Sequence, residues 1–101
     1  MDIDNHETFQ DIIKKNSKVV IDFWAPWCGP CKSMEPVLES LEKKVPDVTI
    51  AKCNVDAYNT LPLELSIKSI PTFVFFKEGE MYDVLIGTQS EDDIISVTNK
   101  M

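Results

Sequence analysis

Trp27-Cys28-Gly29-Pro30-Cys31 brings two thiols within three positions of each other. They fall between an apolar, strand-like run and a helical pattern, so the first thiol stands at a helix start, and the pair can close a disulfide with little backbone movement. Unpaired backbone N–H groups and the helix dipole favour a thiolate at that point. A thiolate able to attack a disulfide, with a second thiol one turn along, is the chemistry of thiol–disulfide exchange. The other use of such a pair is half of a zinc site. Zinc would need two more ligands, and only Cys53 and His6 remain, with no second paired motif.

The rest of the chain bounds what this pair serves. With 101 residues, 44% of them hydrophobic and 27% charged, it reads as one soluble domain over residues 1–101 with enough length to bury a core. A net charge of −7 argues against nucleic acid or an anionic membrane surface as partner. Every cationic side chain is lysine apart from the single His6, so bidentate guanidinium clamps on phosphate or carboxylate are unavailable. The first residues, Met1-Asp2-Ile3-Asp4-Asn5-His6, have neither the basic nor the apolar region of a secretory signal. No apolar run approaches the roughly 18–20 residues that span a bilayer. An odd number of cysteines fits a reducing compartment better than a disulfide-stapled secreted scaffold, so a cytoplasmic location is expected.

Elements of both kinds alternate along the sequence. Phe9, Ile12 and Ile13 mark a helix over Glu7–Lys15, with Asn5 or Thr8 as its cap. Val19-Val20-Ile21 through Phe23-Trp24 reads as a strand covered on both faces. A helical pattern from Cys28 to about Lys44 carries Met34, Val37, Leu38 and Leu41 on one side, and Pro36 inside it predicts a kink. Val48–Val55 reads as a buried strand and Asn59–Leu65 as a short helix. Thr72–Lys77 and Met81–Ile86 form a hairpin through Glu78-Gly79-Glu80. Ser90-Glu91-Asp92-Asp93 starts a last helix with acids at its positive end. The βαβ unit from Val19 to Val55 implies a parallel strand pair with a right-handed crossover, within a mixed sheet that has helices on both faces. The first three residues are expected to add an edge strand.

With this order in place, Trp24-Ala25-Pro26-Trp27-Cys28-Gly29-Pro30-Cys31-Lys32 resembles the active-site signature of the thioredoxin family. Asp22, Pro36, Lys52, Asp56, Ile70-Pro71-Thr72, Lys77-x-Gly79-Glu80 and Gly87 extend the likeness in the right order over essentially the whole chain. The resemblance implies an α/β thioredoxin fold, a central mixed sheet of about five strands flanked by four helices. It also implies a general protein disulfide reductase.

In that reading Cys28 is the nucleophile and Cys31 the more buried, resolving thiol. Gly29-Pro30 between them resembles the reductants of the superfamily. Oxidants and isomerases typically carry a histidine before the second cysteine, and the only histidine here is His6. Asp22 would be the buried acid that takes the Cys31 proton, with Lys52 its partner in the neighbouring strand; the plainer alternative is a structural ion pair. Pro71 would be the family's cis-proline, letting Ile70 pair with an extended client segment, where residues alone favour an ordinary trans proline at a strand start. Trp27, Gly29, Pro30, Ile70 and Gly87 would form the client-binding patch, although Gly87 also suits a plain strand end. The departures are Ser69, where many members have glycine, Pro26, where some have an acid, and the extra Cys53, which reads as an inert buried residue.

The resemblance implies no bound cofactor and no metal. The redox-active group would be the Cys28–Cys31 disulfide, with electrons from NADPH through a thioredoxin reductase. Clients would be disulfide-containing proteins such as peroxiredoxin, methionine sulfoxide reductase or ribonucleotide reductase, and the chain would be monomeric. An oxidant or isomerase of the same fold, and a non-catalytic partner subunit, are the alternatives.

Overall fold

The computed structural model describes residues 1–101. Helix α1 (His6–Lys15) starts at Asn5, whose side chain accepts the Thr8 N–H at 2.8 Å, so Asn5 and not Thr8 is the cap. Its buried face is Phe9, Ile12 and Ile13. Strand β1 (Lys18–Trp24) follows and lies inside a four-stranded sheet of order β2-β1-β3-β4. It pairs parallel with β2 (Thr49–Asn54) and antiparallel with β3 (Thr72–Lys77), which pairs antiparallel with the edge strand β4 (Glu80–Ile86).

The mixed α/β sheet is as expected, but it has four strands and not five. The expected N-terminal strand is reduced to a single parallel bridge, Asp2 to Lys52. Two backbone bonds of 2.8 Å hold it, from Ile3 N–H to the Lys52 carbonyl and from Lys52 N–H to the Met1 carbonyl. Pairing stops there because Asn5 is already committed as the cap of α1, and Ile3 is the one side chain of the segment that enters the core.

The long helix after Cys28 is broken at Met34 into α2 (Gly29–Ser33) and α3 (Glu35–Lys44). Pro36 has no N–H for the Lys32 carbonyl, and its ring crowds that carbonyl. Met34 turns its own N–H onto the carbonyls of Cys31 and Lys32 and restarts the ladder by accepting from Leu38 at 3.0 Å. Counted as one kinked helix, α2–α3 joins α1, α4 (Thr60–Glu64) and α5 (Glu91–Thr98) as the four flanking helices. At α5, Ser90 and Asp93 form a reciprocal capping box. Glu78 and Gly79, both at positive φ (52° and 81°), make the tight turn between β3 and β4.

Strand alternation divides the core in two. Val19, Ile21 and Phe23 point towards α1 and α4, where they meet Phe9, Ile12, Ile13 and Leu61. Val20, with Phe73 and Phe75 of β3, points the other way, against Met34, Leu38, Leu41, Ile94 and Val97 of the kinked helix and α5. Asp22 and Trp24 follow Val20 in this second register. The alternation therefore aims an acid at the face that carries the cysteine helix.

Candidate active site

Cys28 is the cap residue of α2, with extended backbone (φ −90°, ψ 106°), and its Sγ accepts the Cys31 N–H at 3.2 Å. Its own N–H donates to the Ala25 carbonyl at 3.1 Å, which fixes the turn out of β1. Pro30 occupies the first helical turn, where a missing N–H costs nothing. Cys28 is disulfide-bonded to Cys31, with 5.3 Å between their Cα atoms. The two are 5% and 3% exposed, so the difference in burial between them is small. Ala25 completes their buried cluster, and Trp24, Val55 and Ile70 pack against it. An N–H aimed at sulfur in this dry setting is what stabilises a thiolate once the disulfide is reduced.

The surface beside the cysteines is apolar. Trp27 is 70% exposed, yet it is held, because its indole N–H donates to Asp56 Oδ2 at 2.8 Å while the Asp56 N–H donates to Asn54 Oδ1 at 3.0 Å. Trp27, Val55, Pro62, Ile67, Lys68 and Ile70 line a groove of about 180 Å³. Sequence reasoning placed Trp27 and Ile70 here. It did not find the anchoring role of Asp56 or the part played by Pro62 and Ile67, since these come from separate loops with no shared spacing. Gly29 is exposed, and a Cβ at this position would meet no atom within 4 Å, leaving the helix start open to a client.

The Ile70–Pro71 peptide bond is cis. The loop ahead of it is tied by the Thr72 hydroxyl donating to the Ser69 carbonyl at 2.7 Å, a bond made by backbone and so indifferent to the serine that stands at that position. Gly87, just past β4, donates its N–H to the Pro71 carbonyl at 2.8 Å and has φ +86°. Gly87 is thus the strand-end glycine of the plainer expectation, and it also braces the proline loop. Gly87→Ala has room for its methyl but must hold a left-handed backbone. It should lose about 1 kcal/mol in urea unfolding.

Beneath this surface Asp22 is 2% exposed, and its Oδ1 has no hydrogen-bond partner. Burial pushes its carboxyl up to about 7, against a smaller lowering by Lys52 and a further rise from Glu35. Lys52 is its register partner on β2. The expected partnership acts through charge at a distance and not through a contact ion pair, since the chain's two ion pairs are Lys18–Asp47 and Lys44–Glu91. Cys53 lies on the opposite face, fully buried in the α1 core, and burial pushes its thiol up to about 11. That environment makes it a poor nucleophile.

A reversible cysteine pair at a helix start, set on a mixed sheet behind an apolar groove, defines a dithiol–disulfide oxidoreductase of α/β architecture. The sequence model of the thioredoxin family matches residues 1–100. A thioredoxin of Pyropia yezoensis is 40% identical over 92 residues, which is 90% of this chain and 86% of that protein. The crystal structure of oxidised mitochondrial thioredoxin 3 from Saccharomyces cerevisiae superimposes with a TM-score of 0.94 at 37% identity, covering 100% of this chain and 94% of that one. A chain from a structure describing thiol resolution in yeast mitochondrial 1-Cys peroxiredoxin via glutathione/thioredoxin systems also gives 0.94, at 36% identity and the same coverage. The chain belongs to the thioredoxin family. It is a protein disulfide reductase that works by dithiol–disulfide exchange.

Proposed function

We propose that this chain reduces many client disulfides, with Cys28 as nucleophile, Cys31 as resolving thiol and Asp22 as the proton acceptor. The observation that carries the assignment is the Cys31 N–H directed at Cys28 Sγ. It singles out Cys28 as the sulfur held ready as a thiolate. In the reduced protein the Cys28 thiolate attacks one sulfur of a client disulfide. A bond forms between Cys28 and the client, the client S–S bond breaks, and the departing client thiolate takes a proton. Cys31 then passes its proton to Asp22 and attacks Cys28 Sγ, which forms the internal disulfide and expels the second client thiolate. Two electrons have moved from the cysteine pair to the client. A carboxyl poised near 7 exchanges protons at neutral pH, which suits Asp22 to this step. Lys52 attracts its charged form.

The groove lined by Trp27 and Ile70, with Pro71 next in the chain, Gly87 bonded to Pro71 and Gly29-Pro30 following Cys28, supports an extended client segment lying across Cys28. Its contacts are apolar and shallow, which suits varied clients over one sequence. Two electrons return from NADPH through a thioredoxin reductase, making the chain a carrier in electron transport, and the working compartment is the cytoplasm. The peroxiredoxin named for the similar yeast structure supports that client class.

Two measurements test this reading. Dithiothreitol-driven insulin reduction should accelerate well above dithiothreitol alone; no acceleration removes the general-reductase reading. Equilibration with glutathione should give a potential of about −270 mV, the level of thioredoxins as a class. A value near about −180 mV, the level of protein disulfide isomerase, would assign an oxidant or isomerase instead.

A further inference from the structure

Three charged side chains lie in one row across the sheet. Asp2 bridges to Lys52, and Lys52 is in register with Asp22. Register partners share a face of a sheet, and neighbouring strands are about 4.8 Å apart. One lysine therefore has a carboxylate residue on either side in the row, exposed Asp2 on the N-terminal segment and buried Asp22 on β1. The bonds of Lys52 to Met1 and Ile3 lock its backbone on either side of Asp2, so this arrangement is fixed at its base. Lys52 makes a contact ion pair with neither carboxylate.

Asp2, Asp4, Trp24, Lys52 and Asn54 line a cavity of about 210 Å³. The Trp24 indole N–H is buried without a partner, as is Asp22 Oδ1, and alternation puts the two side chains on the same face. Ile3 and Ala57 add apolar wall to it, and its size leaves room for water beside the polar groups of Asp2, Asp4, Lys52 and Asn54. Across this space the flexible ammonium of Lys52 can reach Asp2, and along the register it can reach Asp22. Beside Asp2 it remains hydrated, whereas beside Asp22 it compensates a buried charge. The charged groups that bear on Asp22 are Lys52 from β2 and Glu35 from the start of α3, and Asp2 is bridged to Lys52. On its other side the register partner is the uncharged Phe73 of β3.

We propose that Asp2 is a positioning residue whose carboxylate competes with Asp22 for the Lys52 ammonium, and that it thereby governs how readily the buried acid takes a proton. The consequence for catalysis rests on the reading of Asp22 as the acceptor of the Cys31 proton. The competition itself does not.

The test follows the Asp22 carboxyl by carbon-13 NMR against pH in the oxidised protein, where Cys28 and Cys31 do not titrate. Asp2→Asn frees Lys52 for Asp22 and should move its titration downward by about half a pH unit or more. In a Lys52→Met background the same substitution should lose most of its effect, while Glu35→Gln, which acts without Lys52, keeps its own. Asp4→Asn should move Asp22 less, because Asp4 already accepts from the Asn5 amide at 2.9 Å. No movement with Asp2→Asn overturns the proposal. So does an equal movement in the Lys52→Met background, or a larger one from Asp4→Asn. In the reduced enzyme the pH profile of client reduction should shift with the carboxyl. If the carboxyl moves and that profile does not, the competition stands and the catalytic role of Asp22 fails.

Discussion

Serine at position 28 should abolish dithiothreitol-driven insulin reduction, a loss of about 10³-fold or more. The expectation comes from what the site offers the sulfur. The Cys31 N–H at 3.2 Å and the rest of the first turn stabilise a thiolate at position 28, and a serine hydroxyl cannot ionise enough to use them. No other thiol can substitute. The Cys31 sulfur lacks a backbone N–H of the kind aimed at Cys28 Sγ, and Cys53 is fully buried on the far face of the sheet with its thiol pushed up to about 11. Cys53→Ser should accordingly leave the rate unchanged. The fold should tolerate Cys28→Ser, since the hydroxyl is itself a good cap for the same helix.

Asp22→Asn should make the protein more stable and less active at once. The Asp22 carboxyl titrates at about 7 in the folded chain, against an ordinary value of 3.8. The folded state therefore binds the proton more tightly than the unfolded state does. Between those two values the unfolded chain has released its proton while the folded chain still holds it, so stability falls as pH rises. Above about 7 the full penalty of a buried charge is present, on the order of 4 kcal/mol for roughly three pH units. Asparagine carries no charge. Its variant should exceed the parent by about 2–4 kcal/mol in urea unfolding at pH 8, and the gap should close as pH falls towards 4. Client reduction at pH 7 should slow about 10- to 100-fold through loss of the proton acceptor at the resolving step. Equal stability at pH 8 would show that the charge at position 22 is not buried in the way described.

The fold was readable wherever one side chain carries the decision. Pro36 announced the break in the cysteine helix because its missing N–H acts locally. Ser90 and Asp93 announced α5, and Gly79 the hairpin. The fifth strand failed because its fate depended on competition. Asn5 could extend the segment or cap α1, and capping leaves only Asp2 paired with β2. Much of the site was readable for a similar reason, since the cysteines, their dipeptide and Pro71 act through position in a short motif. Asp56 gripping Trp27 across 29 residues was not, nor was the groove wall at Pro62 and Ile67, because loops that meet only in three dimensions leave no spacing to read. Asp22 and Lys52 were paired correctly as strand neighbours. Their lack of direct contact, and the place of Asp2 in the same row, required the register.

The assignment of Cys28 as the attacking thiol is tested most directly by trapping. Cys31→Ser removes the resolving thiol and should leave the mixed disulfide standing. Incubation of this variant with an oxidised client, followed by peptide mass spectrometry without reductant, should find the client joined to Cys28 and released by dithiothreitol. Adducts through Cys53, or none at all, would contradict the account.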